Sequence, residues 1–275
     1  PKTRYDTFDM KGVLLVVLSV ALVFGLVLAE DSKPNIVFIP ADDLGYGDLK
    51  AYNPDCRIET PSLNQLSAEG MRFTDAHSGG STCKPSRYSL FTGIFPFRAA
   101  SLNDKQGPML PSGRATLASI LRDGGYKTSM VGKWHLGFDQ KGRKEGEQVN
   151  GFAFDYEQPL TGGPRDRGFD TFFGMHASLD IQPYFYIRGR SPVMAPTETI
   201  GASTSVGGVE NWTKIQGAFW RDGAISPDFK HIEVTPRFGD EACQVIEKHD
   251  GAKPLFLYLA LPSPHTPWLP TEEFV

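Results

Sequence analysis

One stretch of this 275-residue sequence gathers residue types able to do covalent chemistry: Ser81-Thr82-Cys83-Lys84-Pro85-Ser86-Arg87. Placing Pro85 at the first position of a helix puts Cys83 just ahead of that helix's N-terminus. Free backbone N–H groups and the positive end of the dipole then face the sulfur, which lowers a thiol pKa and holds an anion. Arg87 follows about one turn further in, with a planar fork of donors suited to a tetrahedral oxyanion. A lone cysteine before a helix is most often a small core residue. Cys-x-Pro-Ser-Arg in a chain that also carries an export signal argues for a site instead.

Other polar groups sit where strands are expected to end. Asp42-Asp43 follows the apolar run Asn35–Ile39. Adjacent carboxylates repel, and a hard divalent cation with oxygen ligands relieves the repulsion; the bland alternative is a turn. Lys133 and His135 are two apart, so in extended backbone they project to one side. His265 follows the run Leu255–Leu261. His77 and Thr82 lie near Cys83 in sequence and either line or merely support its loop. His176, Asp180, Arg188 and Arg190 fall where substrate-shaping loops are expected, although any one of them alone reads better as a polar residue in contact with water. Tyr184, Phe185, Tyr186 and Trp212 stack on a sugar or aryl ring, or fill a core, equally well.

The elements that must position these groups alternate. Asn35–Ile39 reads as a strand buried on both faces. Thr60-Pro61 opens a helix that Gly70 closes, and Thr116 to Leu121 is a second helix stopped by Gly124-Gly125. Tyr126–Val131 is a strand. Thr235-Pro236 starts a third helix with Ala242, Val245 and Ile246 on one side, and Leu255–Leu261 is another strand. The pattern predicts an α/β fold with a largely parallel central sheet flanked by helices, with ligands beyond the carboxyl ends of the strands. Residues 139–225, rich in Gly, Pro and aromatics, read as long loops or an insertion over the sheet edge. There is no internal repeat.

Composition bounds the function. The chain has 28 Lys and Arg against 32 Asp and Glu, for a net charge of -4, and 40% hydrophobic residues. That excludes a nucleic-acid-coating protein, a fibre and a disordered tail. Cys56, Cys83 and Cys243 are too few for a disulfide scaffold; pairing of Cys56 with Cys243 in an oxidising compartment is left open. Val13–Leu28 lacks charge, follows Lys11, and ends in Val27-Leu28-Ala29, which suits a signal peptide starting at Met10 and cleaved after Ala29. Residues 1–29 are thus expected to be upstream residues and signal peptide, and 30–275 an exported, mildly acidic domain without a stable membrane span. The destination is periplasmic or secreted, or lysosomal or extracellular in a eukaryote, where Asn211-Trp212-Thr213 is a potential glycan acceptor.

Cys83-Lys84-Pro85-Ser86-Arg87 resembles the motif at which type I sulfatases convert a cysteine to formylglycine. Gly125–His135 resembles that family's second signature, and the order of Asp42-Asp43, Cys83, Lys133-x-His135 and His265 follows it. Lys84 departs, since many members carry a smaller residue there.

The resemblance implies an alkaline-phosphatase-like superfold, hydrolysis of small-molecule or carbohydrate sulfate esters, and a formylglycine-generating enzyme as maturation partner. It implies calcium held by Asp42, Asp43 and position 83. A hydrated formylglycine attacks sulfur with one hydroxyl, and loss of the other proton expels sulfate. Lys133 binds sulfate and the nucleophile, His135 bonds the formylglycine hydroxyl, and His265 contacts sulfate and assists the leaving alcohol. Complete members are roughly twice this length and supply, after the histidine matching His265, an Asp-Asn or Asp-His pair for the metal and a further lysine. Residues 30–275 therefore correspond to an incomplete N-terminal part of the catalytic domain, expected to be inactive alone. A phosphate or phosphonate ester hydrolase of the same superfold and a non-catalytic surface binding protein are the competing readings.

Overall fold

The computed structural model describes residues 33–99, 108–139, 154–204 and 217–274. The signal-peptide run and the Asn211-Trp212-Thr213 triplet lie outside them. The domain runs from Ile36 to Val275. Among the described residues no helix is long and apolar enough to cross a membrane.

In chain order the elements are β1 (Ile36–Phe38), β2 (Ala41–Asp42), α1 (Pro61–Glu69), α2 (Cys83–Thr92), α3 (Leu117–Asp123), β3 (Lys127–Lys133), β4 (Thr171–Met175), β5 (Ile187–Arg188) and β6 (Ser191–Pro192). Four short strands follow, β7 (Glu198–Ile200), β8 (Ser203–Thr204), β9 (Phe219–Trp220) and β10 (Gly223–Ile225), pairing antiparallel as β7 with β10 and β8 with β9. The last elements are α4 (Val234–Glu247) and β11 (Leu255–Pro264). The main sheet has the order β1-β11-β3-β4-β5-β6, with β2 also on β11. Its pairings from β1 to β4 are parallel, and β5 and β6 are antiparallel.

The helix boundaries follow from local chemistry. Pro61 begins α1 and the N–H of Gly70 returns to the Leu66 carbonyl. At α3, Thr116 Oγ1 accepts from the Ser119 N–H at 3.0 Å while Ser119 Oγ accepts from the Thr116 N–H at 2.8 Å, a reciprocal cap.

The sheet is packed on both faces because its strands alternate. Phe256, Tyr258 and Ala260 of β11, Met130 of β3 and Phe172 of β4 join Tyr88 and Phe91 of α2 and Ala118 of α3 in one cluster. The neighbouring residues Leu255, Leu257, Val131 and Phe173 join Val234, Phe238 and Ala242 of α4 in the other.

Three expectations are corrected. β1 is not buried on both faces: Val37 is 46% exposed and Ile39, just beyond it, 56%. It is the outer strand, hydrogen-bonded to β11, and of its residues Ile36 packs against the core cluster. Ile246 is 49% exposed, so the buried side of α4 is Val234, Phe238 and Ala242, spaced by four. Finally, the stretch read as irregular loops contains β4, which is central to the sheet and buried from Phe172 to Met175.

Candidate active site

The carboxyl ends of β2, β3, β4 and β11 meet the N-terminus of α2. Cys83 is the first residue of α2, with Thr82 as its N-cap in extended backbone. This corrects the expected start at Pro85. The helix begins two residues earlier because a proline in the first turn lacks only an N–H that would have had no intrahelical partner. Ser86 makes the first backbone bond, to the Thr82 carbonyl at 3.0 Å. The sulfur is half-buried, and burial pushes the Cys83 thiol up, opposed by Lys133 and reinforced by Asp42 and Asp43. Against the expected lowering of this thiol, desolvation outweighs the charge of the lysine.

Lys133, the last residue of β3, is fully buried. Its ammonium donates to Asp42 Oδ2, to Ser178 Oγ at 3.0 Å and to Cys83 Sγ at 3.5 Å. Gly132 lets the strand come this close. Its φ is +112°, and a Cβ there would stand 2.1 Å from the Ala260 carbonyl oxygen. Arg87 braces the arrangement from α2: Nη1 donates to the Lys133 carbonyl at 2.7 Å, and Nη2 lies 3.8 Å from Asp42 Oδ2. Its buried Nε has no partner.

The carboxylates are placed by backbone. Asp42 of β2 pairs with Pro264 of β11, and its carbonyl accepts the His265 N–H at 2.8 Å. Asp43 follows at φ +61°, and its Oδ2 is 3.8 Å from His265 Nε2. His265 Nδ1 is 2.7 Å from the Thr266 carbonyl and 3.4 Å from Ser178 Oγ. The carbonyl contact assigns the proton to Nδ1 and leaves Nε2 turned towards Asp43.

His135 does not continue the strand as expected. Its backbone is left-handed, at φ +58°, and its N–H donates to the His176 carbonyl at 3.0 Å. The ring is buried with no hydrogen-bond partner on either nitrogen. Burial, then the positive charges of Lys133, Lys84 and Arg87, hold its pKa well below the usual 6.5, so the imidazole is neutral. Asp43 and His135 are the two non-glycine residues at positive φ among those described. Each such position costs of order 1–3 kcal/mol, and such strain collects at functional sites.

Ligand atoms of Asp42, Asp43 and Cys83 lie within 4.8 Å of one another, close enough to share a metal ion. A buried lysine, a buried arginine, paired carboxylates and a helix mouth thus converge on one side chain. A family model for sulfatases matches residues 34–274.

The chain belongs to the sulfatase family.

It is 31% identical over 271 residues to an N-acetylgalactosamine-6-O-sulfatase of Bacteroides thetaiotaomicron, covering 89% of this chain and 51% of that protein. Human arylsulfatase A is 46% identical over 173 residues, covering 60% of this chain and 29% of that one. A solved sulfatase structure from work on glycosaminoglycan metabolism by Bacteroides thetaiotaomicron superposes with a TM-score of 0.70 at 27% identity, over 88% of this chain and 54% of that chain. The chain spans about half the length, or less, of the curated relatives it matches. Its α/β architecture around a mostly parallel sheet is that of the sulfatase structures, the alkaline-phosphatase-like fold.

Within this sulfatase chain the structure brings together Asp42, Asp43, Cys83, Arg87, Lys133, His135 and His265. Ser178 joins them, bridging Lys133 and His265, and sequence reasoning missed it. The signal was there: His176-Ala177-Ser178-Leu179-Asp180 follows the buried strand β4 at the sheet's carboxyl edge.

The weaker candidates go elsewhere. His77 is exposed and pairs with Asp75 at 2.6 Å. Thr82 makes no side-chain cap. His176 is buried, with Nε2 2.9 Å from the Pro183 carbonyl, and burial pushes its pKa down to about 4. Asp180 pairs with Arg221, Arg188 with Glu241, and Arg190 with Asp166. Tyr184, Phe185 and Tyr186 are core residues, which decides against ring stacking on a ligand, while Trp212 lies outside the described residues. Cys56, Cys83 and Cys243 are free thiols.

Proposed function

We propose that the protein to which this chain belongs hydrolyses sulfate esters to an alcohol and inorganic sulfate, with position 83 as the nucleophile. The observation that carries this reading is the set of Lys133, Arg87, Asp42 and Asp43 around the side chain at the mouth of α2. A sulfate ester brings negative charge, and Lys133, buried and fixed by Asp42 and Ser178, is already aimed at the reacting position.

The donors fit a hard cation in part. Two carboxylates suit calcium, whereas a thiol sulfur is a soft ligand. Oxidation of Cys83 to formylglycine places oxygen there, so the two modifications of the site support each other. Asp42, Asp43 and that oxygen would hold calcium, which supplies positive charge against a sulfate oxygen and the nucleophile. A hydrated formylglycine supplies two hydroxyls, one to attack sulfur and one to release sulfate.

The chain's own residues do the rest. Lys133 Nζ orients position 83 and draws the sulfate group towards it. Arg87 fixes the strand end through the Lys133 carbonyl. His135, neutral and without a ring partner, accepts a proton from a hydroxyl at position 83. His265, with Nε2 turned towards Asp43, contacts the sulfate group and assists the departing alcohol.

The reading extends to a sulfated carbohydrate as substrate class, supported by the relative named for N-acetylgalactosamine-6-O-sulfate chemistry. It extends also to maturation by a formylglycine-generating enzyme and to an exported location, supported by the Val13–Leu28 run.

The test uses the full-length protein co-expressed with the modifying enzyme. An aryl sulfate is hydrolysed in preference to an aryl phosphate, and Cys83→Ala lowers sulfate release by about 10^4-fold or more. Sulfate release that survives Cys83→Ala, or preference for the phosphate, ends the reading.

A further inference from the structure

The strands that carry the candidate site at their carboxyl ends open at their amino ends onto a second depression. Lys127, Thr171 and Leu255, the first residues of β3, β4 and β11, all line a cleft of about 660 Å³. The C-terminal half of α4 and the segment that follows it form the facing wall. Lys127 and Lys133 are the two ends of seven-residue β3, so this cleft and the candidate nucleophile are roughly 20 Å apart at 3.3 Å per residue.

Its charge is opposite to that of the chain. Five Lys and Arg side chains line it against two carboxylates, although the chain carries a net charge of -4. Some of these groups are engaged. Arg188 forks onto Glu241, with Nη1 3.0 Å from Oε2, and lies 4.4 Å from the centre of the Phe173 ring. Lys248 caps α4, where a cation complements the helix's negative end, and donates to Gln244 at 2.8 Å. Asp250 turns back to accept the Ala252 N–H at 3.0 Å.

Lys127, Arg165 and Lys253 remain. None of them enters an ion pair with a described carboxylate; Arg165 is half-buried, while Lys127 and Lys253 are exposed at the rim. His249, in the same wall, has a buried Nε2 with no hydrogen-bond partner. A partly desolvated cation without a counter-charge is costly, and an incoming anion removes that cost.

We infer that this cleft is a second, non-catalytic anion site that takes the sulfate or phosphate ester group of a small sugar-like ligand. Lys127, Arg165 and Lys253 receive the oxyanion, and Val131, Phe173 and Leu255, on the sheet face that packs against α4, form the apolar floor beneath the ring. The volume falls in the roughly 300–1,000 Å³ range of small-molecule sites, larger than a bare ion needs.

Hydrogen–deuterium exchange on the full chain, with glucose 6-sulfate, glucose 6-phosphate, glucose and inorganic sulfate as probes, tests this without turnover, so its outcome is independent of the sulfatase reading. Either ester slows exchange in peptides covering 165–173 and 241–255, glucose does not, and the free ion does so only at concentrations about tenfold higher. The relative strength of the two esters tells which oxyanion is preferred. Arg165→Glu with Lys253→Glu abolishes the protection while the thermal unfolding midpoint stays in place, and Lys253→Glu alone weakens it should the double variant fold poorly. The proposal is overturned by protection confined to peptides around residues 83 and 133, by no protection at all, by cleft protection that survives charge reversal, or by equal response to the free ion.

Discussion

Residues 33–86 and the strands β3, β4 and β11 both supply the candidate site, and they are held by different forces. In the first region Asp42 is the only buried residue. Val37, Ile39, Leu63, Leu66, Met71 and Phe73 are all exposed. In the second, β3 buries six of its seven residues and β11 packs a large side chain into each face of the sheet. Asp42 is therefore positioned by the β2–β11 pairing and by Lys133 and Arg87, whereas Lys133 is positioned by close packing around it. One half of the site answers to charge and the other to volume.

Acid gives the largest expected separation. Burial holds His176 and His231, both in the packed region, down to about 4. The folded state keeps them neutral while the unfolded chain protonates them near 6.5. Stability is therefore complete above about pH 6.5, falls as pH drops, and has lost this contribution by about pH 4. The slope is about 1.4 kcal/mol per pH unit for each histidine at most. Urea unfolding at pH 7.0, 5.5 and 4.5 measures it. His231→Phe keeps a ring against Trp220 and Tyr184 and removes about half of the slope; an unchanged slope breaks the assignment of acid sensitivity to these two groups.

Volume comes next. Phe238 is fully buried between α4 and the sheet, so Phe238→Ala costs about 3–5 kcal/mol by denaturant unfolding. The smallest effect belongs to the other region. Leu66 is 65% exposed, and Leu66→Ala stays within about 0.5 kcal/mol. A cost at Leu66 approaching that at Phe238 would show that the first region has a core of its own and dissolve the contrast.

The chemistry was more legible in the sequence than the packing. Cys83-x-Pro85-Ser86-Arg87 and Asp42-Asp43 announce themselves because few other functions need those types at those spacings. Helices opened by Pro61 and Thr116 and closed by Gly70 and Gly124 were equally readable, since capping is local chemistry. What a local pattern cannot carry is position in the sheet. Ile36-Val37-Phe38 has the composition of a central strand and lies at the edge, while Thr171-Phe172-Phe173-Gly174-Met175, interrupted by a glycine, lies inside. Gly174 is there because of a neighbour distant in sequence: a Cβ would stand 1.9 Å from the Gly132 carbonyl oxygen. Ser178 escaped for the same reason, because a serine acquires meaning only from the lysine and histidine that the fold brings to it. The thiol of Cys83 shows where a local argument stops, since its desolvation and the charges of Lys133 and Asp42 come from residues distant in sequence.

The outer border of β1 has a practical consequence. Among the described residues no strand lies beyond it, so its N–H and C=O groups, flanked by Val37 and Ile39, offer a template on which a second molecule can add. Self-association at high concentration is expected to use this rim, and light scattering on Val37→Lys, which places a charge there, checks it.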